Sequence, residues 1–274
     1  MKNILIVLFA SIASLCNAQN PGLTKKWEAN QNLTTPESVL YQAKNKMLYV
    51  SLIDGEAAKK DGKGGIALLN IDGSIKKADW VTGLDAPKGL GIFKDKLYVA
   101  DIDKVIAINT STGKIISKVT IEGAVFLNDI TIDGNGNVYV SDTRTGKIYQ
   151  IKNGKATLYM ENVSSPNGLK YYKNELYVLA GTQLVKFNAK KEKTVIATGL
   201  EKSGDGLEIL NDGSFIASCW SGIIYHITKD GTKTKLLDVQ GKMNTADIGI
   251  DLKNNIIYVP TFNANSVIAY ELKK

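Results

Sequence analysis

Six segments of the chain repeat one pattern: a polar entry residue, an apolar alternation, a turn, then a strand centred on an aromatic residue. Five begin at Glu37, Lys88, Asn128, Asn167 and Asp205, and the sixth begins at Ala246. Their aromatics fall at Tyr49, Tyr98, Tyr139, Tyr177, Phe215 and Tyr258, in steps of 49, 41, 38, 38 and 43 residues. Strand-bearing repeats of this length match one propeller blade. A further strand follows each segment, as in GKIYQIK from Gly146 and SGIIYHI from Ser221, and a fourth follows most, such as ISKVTI and TKLLDV. Period-two alternation, Tyr, Val and Ile enrichment, and Gly, Asn and Asp turns mark these pieces as strands. Helical periodicity is absent. Six units of four strands predict an all-β, six-bladed β-propeller. The sixth unit ends at Lys274 after only three strands, so its outer strand is expected from around Leu23 to Ala29, near the other end. That pairing closes the ring and leaves no blade edge open. An open solenoid is the alternative, and the spare strand at one end argues against it.

The first residues read as a leader. Lys2 is followed by the apolar run 4–15 and by the small residues of Cys16-Asn17-Ala18, the form of a cleavable signal peptide over 1–18. Such a run is too short to span a bilayer. Leu15 disfavours lipid attachment at Cys16. Export to a periplasm or the medium is expected, with one propeller domain over 19–274. At 44% hydrophobic and 22% charged the composition is globular. The net charge is +7, but of the 34 basic residues only Arg144 is an arginine, and the lysines are scattered singly. That describes a solvated surface rather than a nucleic-acid footprint. Cys219 is the one cysteine outside the leader, which excludes an intrachain disulfide and a thiolate metal cluster. A monomer without nucleic-acid partner or membrane insertion, acting on a small molecule, is expected.

Blade geometry locates the chemistry. The first strand of each blade is innermost and starts at one face of the disc. The loop between its second and third strands returns to that face. The entry residues therefore converge on the mouth of the central channel: Glu37, Lys88, Asn128, Asn167, Asp205 and Ala246, with Asp129 and Asp247 one residue further in. Two carboxylates and two amides at one mouth form a hard, all-oxygen site that suits Ca²⁺, with Mg²⁺, Mn²⁺ or Zn²⁺ as alternatives. Asn and Asp also cap turns at strand starts, the bland reading of each residue alone. Lys88 would repel a cation unless it points away, pairs with Asp247 or Glu37, or binds an anionic substrate group. The surrounding loops carry Asp101, Asp103, Asp142, Arg144, Trp220 and Phe262. Arg144 suits a carboxylate or phosphate, or pairs with Asp142. The glycine-rich loop from Asp54 is a candidate lid. His226 lies in a third strand away from the mouth, and Cys219 lacks a histidine to activate it.

Four pieces carry a family resemblance: Pro36-Glu37-Ser38-Val39, Phe126-Leu127-Asn128-Asp129, Ser165-Pro166-Asn167-Gly168 and Gly204-Asp205-Gly206-Leu207. At these the chain resembles the gluconolactonase and regucalcin (senescence marker protein) family of six-bladed propellers, with repeats similar to NHL repeats. The resemblance implies that Glu37, Asn167 and Asp205 hold a divalent cation and that Asn128 touches the metal or a substrate oxygen. It implies that Asp205 is the catalytic base of a lactone hydrolysis. Substrate contacts would fall to Lys88, Asp129, Arg144, Phe126, Trp220 and Asp247. One departure stands out: sugar lactonases have an arginine where this chain has Phe126, which points toward a less polar ring. A non-catalytic propeller binding a small ligand or a partner protein is the alternative.

Overall fold

The computed structural model describes residues 22–273. The expected signal peptide, Cys16 included, lies outside the described residues. Six four-stranded antiparallel sheets are arranged as the repeat requires. Their inner strands are Pro36–Gln42, Pro87–Phe93, Leu127–Ile132, Pro166–Tyr172, Gly204–Ile209 and Gly249–Asp251. The blades are numbered one to six in that order. Blade six orders its strands, from the outside inward, as Gly22–Ala29, Val267–Lys273, Ile256–Pro260 and Gly249–Asp251. The strand from the start of the chain is thus the outer strand of the last blade, running antiparallel from Gly22 opposite Lys273 to Ala29 opposite Val267.

Period-two alternation explains the packing. Side chains of one strand point alternately to the two neighbouring blades. In the second strand of blade one, Leu48 and Val50 join Tyr258, Val267 and Ala269 of blade six, while Met47 and Tyr49 join Leu97, Val99 and Ile106 of blade two. Comparable apolar clusters fill the remaining four blade interfaces, so the core is a ring of wedges around the channel. Inner strands must come close where the wedges meet. A Cβ on Gly168 would sit 2.1 Å from the Asp205 carbonyl oxygen, and one on Gly206 would sit 2.3 Å from the Ile248 nitrogen. Only glycine permits those approaches. Blades one and six also share backbone bonds: Val39 N–H donates to the Asp247 carbonyl at 3.1 Å, and Asp247 N–H donates to the Glu37 carbonyl at 2.9 Å. The only helical turn among the described residues is the 3₁₀ turn Phe262–Ala264. No helix is long and apolar enough to cross a membrane there.

Candidate functional site

The inner strands of blades one to five each start with an irregular register against their neighbour. In blade three the pairing shifts between Leu127 and Ile130, and in blade four between Pro166 and Leu169. Such bulges re-aim side chains at sheet rims. Here they turn the entry residues toward the channel mouth. Glu37, Lys88, Asn128, Asn167 and Asp205 line one cavity of about 570 Å³ together with Phe126 and Trp220, as the ring argument expected. Phe262 and Ala57 complete its apolar wall.

The donor set has loose ends that matter. Asn167 Nδ2 donates to Asp205 Oδ1 at 3.2 Å, yet Asn167 Oδ1 is buried without a hydrogen-bond partner. Glu37 Oε2 is buried and unpartnered as well. Asn128 Nδ2 donates to Thr143 Oγ1 at 3.1 Å, leaving the amide oxygen as the atom available to the cavity. Burial, then the charges of Asp205 and Asp247, pushes the Glu37 carboxyl well above the ordinary glutamate range, against the opposing pull of Lys88. Burial and Asp247 push Asp205 up in the same way, with the Asn167 hydrogen bond opposing. Orphaned buried oxygens and under-neutralised carboxylates are what a hard cation relieves. No group of three or more His, Cys, Asp or Glu side chains among the described residues is placed to hold a metal. A cation here would therefore depend on the two asparagine oxygens.

Lys88 is almost wholly buried, at 1% exposed. Its ammonium forms no ion pair with Glu37 or Asp247; it donates to the Ala86 carbonyl at 2.9 Å and lies 4.4 Å from the centre of the Phe126 ring. Burial lowers it to about 8, while Glu37 and Asp101 hold it up. Arg144 lies 4.3 Å from the Phe126 ring centre and does not line the cavity. The expected partner Asp142 instead accepts from the backbone N–H groups of Val125, Phe126 and Thr145. Asp101 likewise caps the turn before blade two through Asp85 and Ala86.

Asp129 and Asp247 sit one layer below the cavity rather than in its wall, so the substrate contacts expected of them are not brought to the mouth. Asp129 Oδ2 accepts from Leu169 N–H at 2.6 Å, and Asp247 Oδ2 accepts from Ser38 Oγ at 2.5 Å. Both tie neighbouring inner strands together. Burial raises the two carboxyls, Asp247 to about 7. Beneath them Lys170 meets Glu208 at 2.8 Å. Burial pushes the Lys170 ammonium down, but Glu208, Asp129 and Asp247 outweigh it and keep the cation. Lys170 and Glu208 were not singled out in the sequence. Each lies three residues beyond a ring residue on an otherwise apolar inner strand, a signal that was there to read. The loop from Asp54 is anchored by Lys60 on Asp103 and by Gly62 N–H on Asp85. His226 meets Ser214 Oγ at 3.0 Å, away from the mouth. Cys219 is buried, and burial, then Asp205, pushes its thiol up to about 12, which removes it as a nucleophile.

No family model and no curated protein matches the chain. Solved structures do. Virginiamycin B lyase from Staphylococcus aureus superposes with a TM-score of 0.65 at 16% identity, over 92% of this chain and 100% of that one. A protein of unknown function from Bacteroides thetaiotaomicron gives 0.70 at 12% identity, over 92% of this chain and 76% of that one. A gluconolactonase candidate gives 0.67 at 15% identity, over 93% of each. The chain has their six-bladed fold. At these identities the fold is what is shared, and lyase and lactonase are names that belong to those proteins.

Proposed function

We propose that the protein is a metal-dependent hydrolase that opens a lactone or related ester at the channel mouth. The observation that supports this is the pair of unpartnered buried oxygens, Glu37 Oε2 and Asn167 Oδ1, facing one cavity with Asp205. Glu37, Asn128, Asn167 and Asp205 would hold a divalent cation, Ca²⁺ by the hardness of the set. Bound there, the cation would supply Lewis acidity toward a substrate carbonyl. Asn167 fixes Asp205 Oδ1 through its amide N–H, which leaves Oδ2 as the oxygen to take a proton from water. Phe126, Trp220 and Phe262 form the apolar side of the cavity in which that transfer would occur. The run 4–15 supports export of the mature chain, which cell fractionation would test.

The test is a lactone panel assayed with added Ca²⁺ and with chelator, alongside measurement of bound metal. Asp205→Ala is expected to lose at least about a hundredfold in turnover, the scale of general-base catalysis. Turnover by wild type that ignores both chelator and Asp205→Ala would end the reading. Lys88 at the ring favours one competitor, a propeller that binds without hydrolysis. It predicts saturable ligand binding with no product formed.

A further inference from the structure

We infer that the ligand of the mouth is a flat apolar ring carrying a carboxylate or comparable anionic oxygen group, its ring against Trp220 and Phe262 and its oxygens on Lys88. The inference rests on the mouth being the working site and adds the class of molecule. Three observations carry it.

The first is the aromatic wall. Trp220 and Phe262 meet edge to face, with centroids 5.6 Å apart and planes at 76°. Trp220 remains 38% exposed although its backbone is pinned, N–H to the Ser203 carbonyl at 2.8 Å and carbonyl to Asn244 Nδ2 at 2.9 Å. An exposed ring held in place presents a face for stacking at little ordering cost. The second is Phe126, which two cations hold from 4.3 and 4.4 Å. A sugar ring would want hydrogen-bonding groups there, and the nearby Thr143 hydroxyl is already donated to the Pro166 carbonyl at 2.8 Å. The third is the Lys88 ammonium. It has three N–H donors, makes one hydrogen bond, to Ala86, and forms no ion pair among the described residues. A buried cation on the cavity wall with donors to spare calls for an acceptor, and a carboxylate makes the strong charge-assisted form of that bond. The cavity of about 570 Å³ accepts a molecule of two or three fused or linked rings.

The experiment is titration calorimetry on chelator-treated protein with three probes: 2-naphthoate, 2-naphthylmethanol and gluconate. Naphthoate is expected to bind about tenfold tighter than either of the others. Lys88→Met should erase the gap between naphthoate and its alcohol. Trp220→Ala, a change at an exposed ring, should weaken both naphthyl probes and leave gluconate unmoved. Gluconate binding as tightly as naphthoate would overturn the inference. So would naphthoate binding that ignores both substitutions. A carboxylate preference that appears only with added Ca²⁺ and ignores Lys88 would leave the metal reading standing and overturn this one. Should Lys88→Met fail to fold, the wild-type comparison of acid with alcohol, read with Trp220→Ala, decides alone: equal affinities defeat the inference.

Discussion

At the scale of single residues, a half-buried cation and a buried carboxylate outside the mouth make the sharpest tests. Lys170 is the cation that Glu208, Asp129 and Asp247 share inside the channel. Lys170→Met would leave the buried Glu208 carboxylate without its cation, and stranding one buried polar group costs about 1–3 kcal/mol. Urea unfolding of the variant should show a loss on that scale, with the melting temperature falling in step. Asp133 is a different case. Its carboxylate accepts from Asn135 N–H, Asn137 N–H, Asn137 Nδ2 and the Tyr139 hydroxyl. Burial pushes this group up, but the Asn137 and Asn135 bonds outweigh it and hold it below the ordinary aspartate value. A depressed folded-state value means the contribution is complete above the unfolded value, near pH 4, and is lost as pH falls through the folded one. Asp133→Asn should therefore be less stable than wild type at pH 7 by about 1–2 kcal/mol. That gap should narrow as denaturant titrations are taken below about pH 4. A gap that stays constant with pH would assign it to geometry instead of charge.

At the scale of elements, the strand Gly22–Ala29 decides whether the ring is shut. Trp27 sits 5.8 Å from Tyr258, centroid to centroid, and its indole N–H donates to the Ile71 carbonyl at 3.0 Å, which spans blades six and one. Deleting 22–29 removes that bridge and bares the strand edge of Val267–Lys273. The expected result is a concentration-dependent loss of soluble protein and a broadened melt. A truncated chain that stays soluble with an unchanged transition would show that closure needs no help from this strand. Strand existence, blade count and this closure were legible in the sequence because apolar alternation and the aromatic period report backbone geometry directly. The entry residues were legible for the same reason: Glu37, Asn128, Asn167 and Asp205 occupy equivalent repeat positions. What escaped was depth. Adjacency in sequence puts Asp129 and Asp247 beside mouth residues but does not say which way their side chains turn. Their carboxylates went to Leu169 N–H and Ser38 Oγ on neighbouring blades, contacts between residues far apart in the chain. Arg144 escaped likewise: its stacking on Phe126, and the use of Asp142 as a turn cap, are tertiary facts with no periodic trace.

At the scale of the whole molecule, the mouth is the place where side chains from all six blades meet. Ligand that binds only the closed ring stabilises all six blades together, by about 2.7 kcal/mol at a hundredfold excess over Kd. Added Ca²⁺ should raise the melting temperature of wild type by a few degrees, on the scale expected for a domain of this size. It should leave Asp205→Ala unmoved. A shift of equal size in both would place the ion elsewhere. One feature of blade six bears on orientation. Inner strands leave the mouth, and direction alternates outward, so Gly22 and Lys273, paired at the end of the outer two strands, both emerge on the far side of the disc. Anything joined directly at Gly22 or Lys273 therefore meets the face opposite the cavity, and the opening stays clear of it.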